Sequence, residues 1–368
     1  MSMNPVLDSP VEESKESSQQ TPSKHSGLSP LRLRELQLHT PDSVDDLCAK
    51  DRKKGFVVEG LIPRGSLNLA AGDSGLGKSP LFYQLGLCVA AGVPWLGVPT
   101  VKGRVIYIDL ENGVHQSQQI RNNLVKFLGL EECPSDFLSH YGGYNLHVPR
   151  LVDEVRPSLV IVDTLRAYKP DFEQDNTQAG KLLKDFRSLA HDCDVAFQFI
   201  HHVRKPGEHG VPALEDTLAP QWLIQACGAR ALINQTDFRL GIDCAVGTGR
   251  RFLGMKHPSI AEETAIVLRG HVRVRGEFGP ILLARCFDEE GQPIGYRKLT
   301  GVELLCNTDQ QQAFAKLPGS FTFKEAKLIY GRRDQATSDF LEKCIRLDIL
   351  SRKGKGQYEK KIPSNTAE

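Results

Sequence analysis

The eight residues from Gly72 to Ser79, Gly-Asp-Ser-Gly-Leu-Gly-Lys-Ser, restrict what this chain can fold into more than any other segment. A short apolar run from Ser66 to Ala70 precedes them, and a run rich in Leu, Ala and Val follows from Leu81 to Ala91. These flanks predict a buried strand before the glycine loop and a helix after it, the context in which this pattern binds phosphate. The alternative is a glycine turn that only joins a strand to a packed helix, and the four fixed positions of the pattern disfavour it.

The loop residues have separate physical roles. Glycine allows backbone N–H groups to close around phosphate oxygens, and the helix that follows adds the partial positive charge of its N-terminus. Lys78 is expected to reach the β- and γ-phosphates of ATP, and the Ser79 hydroxyl is expected to ligate Mg²⁺. The residues predicted to hold the nucleotide are Gly72, Asp73, Ser74, Gly75, Leu76, Gly77, Lys78 and Ser79.

Composition limits the partners and the compartment. The net charge of +1 predicts no global attraction to nucleic acid, so any such binding must depend on a local patch. The nine cysteines are scattered without a C-x-x-C pair, which argues against a zinc ribbon and fits a reduced cytoplasm. The first residues are polar and acidic, unlike a secretory signal, and no membrane span is expected.

The length of 368 residues allows one large domain and one small one. Residues 1–45 are rich in Ser, Gln, Glu, Lys and Pro without an apolar period, which predicts a disordered tail. Residues 46–300 are predicted to form the α/β nucleotide-binding domain, and residues 301–368 a second, smaller domain.

Two acidic residues follow apolar runs that are predicted to be core strands. Glu111 follows the run from Arg104 to Leu110, where a carboxylate can orient an attacking water; a helix-capping acid is the alternative. Asp163 ends the β-branched run from Ser158, which is typical of a parallel strand covered on both faces. Asp163 is therefore expected to hold Mg²⁺, directly or through water.

A pair of histidines ends a further predicted strand, which begins at Val195. A polar side chain at this position can contact the γ-phosphate and respond to its loss. His201, His202 and His209 could instead form a metal site, but no acid or cysteine completes one convincingly. We therefore favour phosphate sensing by His202.

The chain resembles the RecA-type ATPase core through the phosphate loop, the segment from Asp109 to Asn112, the run to Thr164 and the segment from His201 to Lys205. The family that it resembles most is the plasmid RepA-type hexameric replicative helicases and their phage and mobile-element relatives. The resemblance covers roughly residues 56–300 and implies a twisted, mainly parallel sheet wrapped by helices. It also implies that Glu111 is the catalytic glutamate.

The same resemblance suggests a second catalytic element. Helicases of this type carry a Lys/Arg-x-Arg pair on a strand before a glycine turn, pointing into the neighbouring subunit's nucleotide site. Arg273 and Arg275 match this pattern, and guanidinium groups can neutralise charge on a transferring phosphoryl group. From spacing alone, a solvated edge strand with alternating charges is the alternative.

The C-terminal region is predicted to form three helices and a hairpin, an order that resembles a winged helix. A capping box at Thr322 opens the second helix, and between residues 320 and 362 eleven Lys and Arg face six Asp and Glu. Basic winged helices bind DNA or only mediate protein contacts, and both remain open. The candidate DNA-binding residues are Arg332, Arg333, Lys353 and Lys355.

Together these features predict an ATP-hydrolysing, Mg²⁺-dependent DNA motor. The resemblance implies a hexameric ring helicase with single-stranded DNA in its channel, and the winged helix is expected to contact duplex DNA or a protein. The rival hypothesis is a non-translocating ATPase, such as a recombination mediator or a DNA-binding regulator. A metabolic kinase is disfavoured, because neither a winged helix nor paired arginines serve a small acceptor.

Overall fold

A computed structural model of the chain divides it into two units, Met1–Arg52 and Lys53–Glu368. In the first unit, helix α1 (Pro30–Glu35) carries an ion pair of 2.8 Å between Arg32 and Glu35. The sequence pattern predicts no helix here, and the rest of the predicted tail lies almost wholly outside the described residues. The structure describes residues 29–35, 40–42, 55–142, 146–170, 175–204, 212–214, 217–226, 230–244, 265–273, 275–299, 303, 305, 308–347 and 349–361.

Lys53–Glu368 contains an α/β layer structure. Its first eleven strands are β1 (Phe56–Val58), β2 (Ile62–Pro63), β3 (Leu67–Gly72), β4 (Val105–Asp109), β5 (Phe137–Tyr141), β6 (Leu159–Asp163), β7 (Ala196–His202), β8 (Phe238–Cys244), β9 (Ala265–Val272), β10 (Gly276–Phe287) and β11 (Pro293–Lys298). The helices among them are α2 (Lys78–Ala91), α3 (Val114–Phe127), α4 (Val148–Val155), α5 (Leu165–Tyr168), α6 (Asn176–Cys193), α7 (Ala219–Trp222) and α8 (Arg230–Gln235).

Nine of these strands form one sheet, in the order β11-β10-β9-β8-β3-β7-β6-β4-β5. The strands from β8 to β5 in this order are parallel, whereas β9, β10 and β11 are joined to them by antiparallel pairing. The mainly parallel sheet that the sequence predicts is therefore confirmed. Strands β3, β4 and β6 are buried along their whole length, as expected where helices cover both faces of a sheet.

Helices pack on both faces of the sheet. One hydrophobic cluster joins α2 residues such as Leu81 and Leu85 to the sheet, and another joins Val152 of α4 and Phe186 of α6 to the opposite face. Among the described residues, no helix is both long and apolar enough to cross a lipid bilayer.

The structure corrects the interpretation of two segments. The sequence from Tyr144 to Val148 predicts a short strand, and this prediction is wrong at its end, because Val148 begins α4, whose first turn is capped by the His147 side chain. Residues 143–145 lie outside the described residues. Arg273 and Arg275 lie in the turn between β9 and β10 rather than on a strand, since β9 ends at Val272 and β10 begins at Gly276.

The C-terminal residues have a hydrophobic cluster of their own, which includes Phe321, Phe340 and Tyr358. Their elements are α9 (Thr308–Lys316), β12 (Ser320–Thr322), α10 (Phe323–Tyr330), α11 (Asp334–Arg346), β13 (Leu350–Gly354) and β14 (Gln357–Lys360). The three strands form an antiparallel sheet of order β12-β14-β13, so the predicted hairpin is joined by a strand that the sequence pattern does not predict.

Two local predictions in this region can be compared with the structure. The capping box of Thr322 and Glu325 is confirmed at the start of α10. The third of the predicted helices, which the sequence places from Arg332 to Leu347, begins later, at Asp334, because Arg333 has extended backbone angles and acts as its N-cap residue.

Candidate nucleotide site

The phosphate loop connects the buried strand β3 to the first residue of α2. Gly75 and Gly77 have φ angles of +80° and +79°, a conformation that glycine adopts without the strain of a side chain. A Cβ atom at Gly77 would also overlap the Tyr296 hydroxyl. The loop is therefore held in a shape that leaves its backbone N–H groups available to an anion.

Lys78 folds back over this loop. Its Nζ donates hydrogen bonds to the carbonyl oxygens of Gly72 at 3.0 Å and Asp73 at 2.7 Å, and it lies 3.5 Å from His202 Nδ1. Burial lowers the pKa of Lys78, whereas the nearby carboxylates of Asp163 and Glu111 oppose that shift. Both of these hydrogen bonds go to neutral carbonyl oxygens, so a bound phosphate group would give the buried ammonium an anionic hydrogen-bond partner.

Strand register brings the predicted site residues together. In the parallel sheet Gly72 pairs with His202, and Asp163 pairs with Asp109, two residues before Glu111. These positions are the carboxyl ends of neighbouring strands, where α/β sheets bind ligands. Lys78, Ser79, Glu111, Asp163 and His202 all line one cavity of about 510 Å³.

Glu111 is held at the cavity by two side chains. Its Oε1 accepts a hydrogen bond of 2.7 Å from the Thr164 hydroxyl and lies 3.3 Å from His202 Nε2. The His202 contact, followed by that of Thr164, holds the pKa of Glu111 below its ordinary value of 4.5, although partial burial acts in the opposite direction. Glu111 is thus kept as a carboxylate, the form that can accept a proton from water.

The histidine contact predicts a change in pH dependence. Replacing His202 by Ala removes the largest cause of the lowered pKa, so the pKa of Glu111 should rise and hydrolysis should begin to fall at a higher pH on the acidic side. The measurement is the single-turnover hydrolysis rate over the acidic pH range, with the variant His191→Ala, which replaces an exposed histidine of α6, as control. An unmoved acidic limb would show that His202 does not set the ionisation of Glu111.

A buried network behind the cavity fixes the turn that carries Glu111. Asp109 accepts hydrogen bonds from the backbone N–H of Asn112 at 2.9 Å, from the Ser117 hydroxyl at 2.8 Å and from the Tyr83 hydroxyl at 2.8 Å. Tyr83 stacks on Tyr107 at 3.8 Å. Because the polar atoms of this network are paired, the residues after β4 have one preferred position.

Asp163 provides a test of whether the site fits Mg²⁺. Its Oδ2 accepts a hydrogen bond of 2.7 Å from Tyr107, whereas its Oδ1 is buried and has no hydrogen-bond partner among the described residues. Burial raises the pKa of Asp163 to about 6, which a cation would oppose. An unpaired carboxylate oxygen beside Ser79 fits Mg²⁺, which when bound would neutralise phosphate charge. No cluster of three or more His, Cys, Asp or Glu suited to a metal occurs in the described part of the chain, and His209 lies outside it.

The hairpin of β10 and β11, which lies more than 200 residues later in the sequence, contacts the phosphate loop. The Tyr296 hydroxyl donates to the carbonyl oxygen of Gly77 at 2.9 Å, and Arg285 Nη2 donates to that of Leu76 at 3.0 Å. The Gln84 side chain forms two hydrogen bonds of 2.9 Å with the backbone of Tyr296. Gln292 lines the cavity, so this hairpin forms part of its wall.

Arg273 and Arg275 lie away from this cavity. Val272, the last residue of β9, pairs with Phe238 at the start of β8, and Phe238 pairs with Asn68 rather than with the phosphate loop. Arg273 Nη2 donates to the carbonyl oxygen of Asn234 at 2.6 Å, and the Arg275 guanidinium lies 5.0 Å from the centre of the Phe56 ring. Asn68 lies four residues before Gly72 on β3, so about 13 Å of strand separates the turn with Arg273 and Arg275 from the phosphate loop.

Several contributors to the site are missed by the sequence pattern. Tyr107 and Asp109 alternate with apolar residues inside a strand and therefore look like ordinary core positions. Arg285 and Tyr296 lie more than 200 residues from the loop that they contact, and no local pattern indicates such a pairing. Thr164, which holds Glu111, could have been found from sequence, since it directly follows Asp163, the predicted metal ligand.

Comparison with known proteins gives one family model that includes this site and several similar proteins. The family model described as "AAA domain" matches residues 32–208. The DNA repair protein RadA of Halalkalibacterium halodurans is 31% identical over 160 residues, which are 42% of this chain and 31% of that protein's length. The aligned segment thus spans about a third of this relative.

Two solved structures are also similar. The RadB recombinase has a TM-score of 0.42 and 17% identity, over 66% of this chain and 93% of that one. A KaiC-like protein from Pyrococcus horikoshii has a TM-score of 0.40 and 11% identity, over 67% of this chain and 97% of that one.

Proposed function

We propose that this chain, which carries a RecA-like P-loop ATPase domain, hydrolyses ATP to move along DNA, as a ring-forming replicative helicase of a plasmid, phage or other mobile element. The observation that carries the ATPase proposal is the placement of Glu111, which Thr164 and His202 hold at the cavity that Lys78 and Ser79 also line. A fixed carboxylate near a phosphate loop can orient water for attack on the γ-phosphate.

The residues divide the chemistry among themselves. The phosphate loop and Lys78 would bind the phosphates, Ser79 and Asp163 would hold Mg²⁺, and Glu111 would accept a proton from the attacking water. His202 touches both Lys78 and Glu111, so it can respond to the presence of the γ-phosphate. Loops that change position with the nucleotide would then move single-stranded DNA by its phosphates through a hexameric ring.

A non-translocating recombination mediator is the second candidate, and the match to a protein named DNA repair protein RadA favours it as much as the helicase. Strand displacement from a forked duplex separates the two. A helicase should unwind the fork only with ATP, and Lys78→Ala should abolish unwinding. ATP hydrolysis that single-stranded DNA stimulates without unwinding would favour the mediator, and hydrolysis indifferent to DNA would contradict both.

We also propose that residues 301–368 form a winged-helix domain that contacts duplex DNA. The order of helix, strand, two helices and hairpin supports this proposal. Arg332 forms an ion pair of 3.0 Å with Asp309, and Lys353 one of 2.5 Å with Glu359. Both pairs are exposed, and such pairs are weak enough to exchange for phosphate.

The proposal predicts a change in salt dependence. Replacing Arg332, Arg333, Lys353 and Lys355 by Ala should weaken duplex binding and flatten its logarithmic salt dependence by roughly two to four units, because each lost phosphate contact changes the slope by about 0.9. Salt titrations of duplex affinity measure this effect, with Lys181→Ala and Lys184→Ala on α6 as the control pair. Equal slopes for wild type and the quadruple variant would favour a protein partner.

A further inference from the structure

A second cavity lies apart from the nucleotide site. It has a volume of about 440 Å³ and lies among the end of β7, α7 with the 3-10 turn that follows it, α8 and β8. Three arginines line it, Arg204 after β7, Arg230 at the start of α8 and Arg239 on β8. We call this cavity the basic pocket. It shares no lining residue with the cavity that holds Lys78.

The charge of the basic pocket is one-sided. Among the described residues, its lining contains three guanidinium groups and no carboxylate. Asp237, the acid nearest in sequence to Arg239, forms ion pairs with Arg187 and Arg273 outside this lining. Like charges brought together in a concave surface repel one another, and an anion between them relieves that repulsion.

Arg239 shows most clearly that the pocket favours an anion. Burial lowers the pKa of this arginine, and the positive charge of Arg273 lowers it further, with Asp237 opposing both. Its Nε atom is buried and has no hydrogen-bond partner among the described residues. A cation taken out of water without full hydrogen bonding is costly to the folded state, and a bound anion would offset that cost.

The remaining wall of the basic pocket is apolar. Pro220, Ile224 and Ile233 line it, and Ile224 is 59% exposed, an unusual exposure for a large aliphatic side chain. The volume falls in the range of sites for small ligands, about 300–1,000 Å³. A ligand that fits such a surface carries an anionic group next to a flat or apolar group.

We propose that the basic pocket binds a phosphate group attached to a nucleoside, with the arginines on the phosphate and the apolar wall against the base. Arginine forks bind phosphate oxygens in pairs, and bases stack on apolar and guanidinium surfaces. Two sources share this chemistry, a free nucleotide and a nucleotide unit within a single strand of nucleic acid.

The test uses the full chain with Lys78→Ala, which removes nucleotide binding at the phosphate loop and makes the result independent of ATP hydrolysis. The probes are inorganic phosphate, a 5′-phosphorylated thymidine dinucleotide and a longer thymidine oligonucleotide. The dinucleotide should bind, and phosphate should compete with it. Adding Arg239→Met or Arg230→Met should weaken binding by about tenfold or more, because a charge-assisted hydrogen bond is lost. The matched control, Arg150→Met on α4, should change nothing.

The outcomes decide both the site and the source of the ligand. Much tighter binding of the oligonucleotide, with a salt slope that both variants reduce, assigns the pocket to a nucleic-acid strand. Similar affinities for dinucleotide and oligonucleotide assign it to a free nucleotide. Failure of all three probes to bind, or equal affinity in the variants and the parent, would overturn the proposal.

Thermal unfolding separates ligand binding from a structural role for Arg239. Without ligand, Arg239→Met should unfold at the same temperature as its parent or higher, because a partly buried cation beside Arg273 has been removed. The dinucleotide should raise the midpoint of the parent but not that of the variant. If Arg239→Met does not fold, the same measurement is made with Arg230→Met, because Arg230 is exposed. Equal dinucleotide-induced rises of the unfolding midpoint in Arg230→Met and its parent would contradict the assignment.

Discussion

Replacing Glu111 by Gln is expected to lower ATP hydrolysis by roughly 10²–10⁴-fold while leaving ATP bound. Glutamine keeps the shape of the side chain and can still accept the hydrogen bond that Thr164 donates at 2.7 Å. It cannot accept a proton from water, so only the chemical step should suffer. Single-turnover hydrolysis and the binding of a fluorescent ATP analogue measure the two effects separately.

Two further variants bracket this result. Lys78→Ala should lose nucleotide binding itself, because its buried ammonium lies against the phosphate-loop carbonyls of Gly72 and Asp73 and lines the cavity. Glu131→Gln, an exposed acid after α3, should leave binding and hydrolysis at wild-type levels. Normal turnover in the Glu111→Gln protein would remove Glu111 from the catalytic role proposed for it.

Replacing Arg275 by Ala is expected to lower hydrolysis by roughly 10³–10⁵-fold, with ATP affinity unchanged, if this arginine completes a neighbouring subunit's site. Its position favours action between subunits, since the turn that carries it lies at the sheet edge opposite the phosphate loop of its own chain. Its guanidinium lies 5.0 Å from the centre of the Phe56 ring at the surface of the chain, and Arg275 forms no ion pair with a carboxylate of the described residues. Arg150→Ala serves as a control for the loss of an exposed positive charge.

Mixing experiments test action between subunits directly. Arg275→Ala and Lys78→Ala proteins should each be nearly inactive alone. In mixed rings one type of interface has an intact phosphate loop from one subunit and an intact arginine from the other, so some activity should return. No recovery at any mixing ratio, in rings verified to contain both proteins, would contradict the trans assignment of Arg275.

The position and shape of the phosphate loop could be predicted from sequence because they depend on neighbours in the chain. The backbone angles of the glycines, and the helix N-terminus that holds Lys78 and Ser79, are specified by eight consecutive residues. The placement of Glu111 and Asp163 near each other was also predictable, since Glu111 follows an apolar run, Asp163 ends another, and the carboxyl ends of parallel strands meet at one sheet edge. The capping box at Thr322 belongs to the same class of local signals.

Only the tertiary structure decided which distant groups meet these residues. Tyr296 and Arg285 reach the phosphate loop because β10 and β11 extend the sheet and cover α2, a consequence of long-range pairing. The basic pocket likewise joins Arg204, Arg230 and Arg239 from three elements. Local sequence specifies backbone conformation over a few residues, whereas contacts between strands and helices depend on the packing of the whole core, which no short pattern contains.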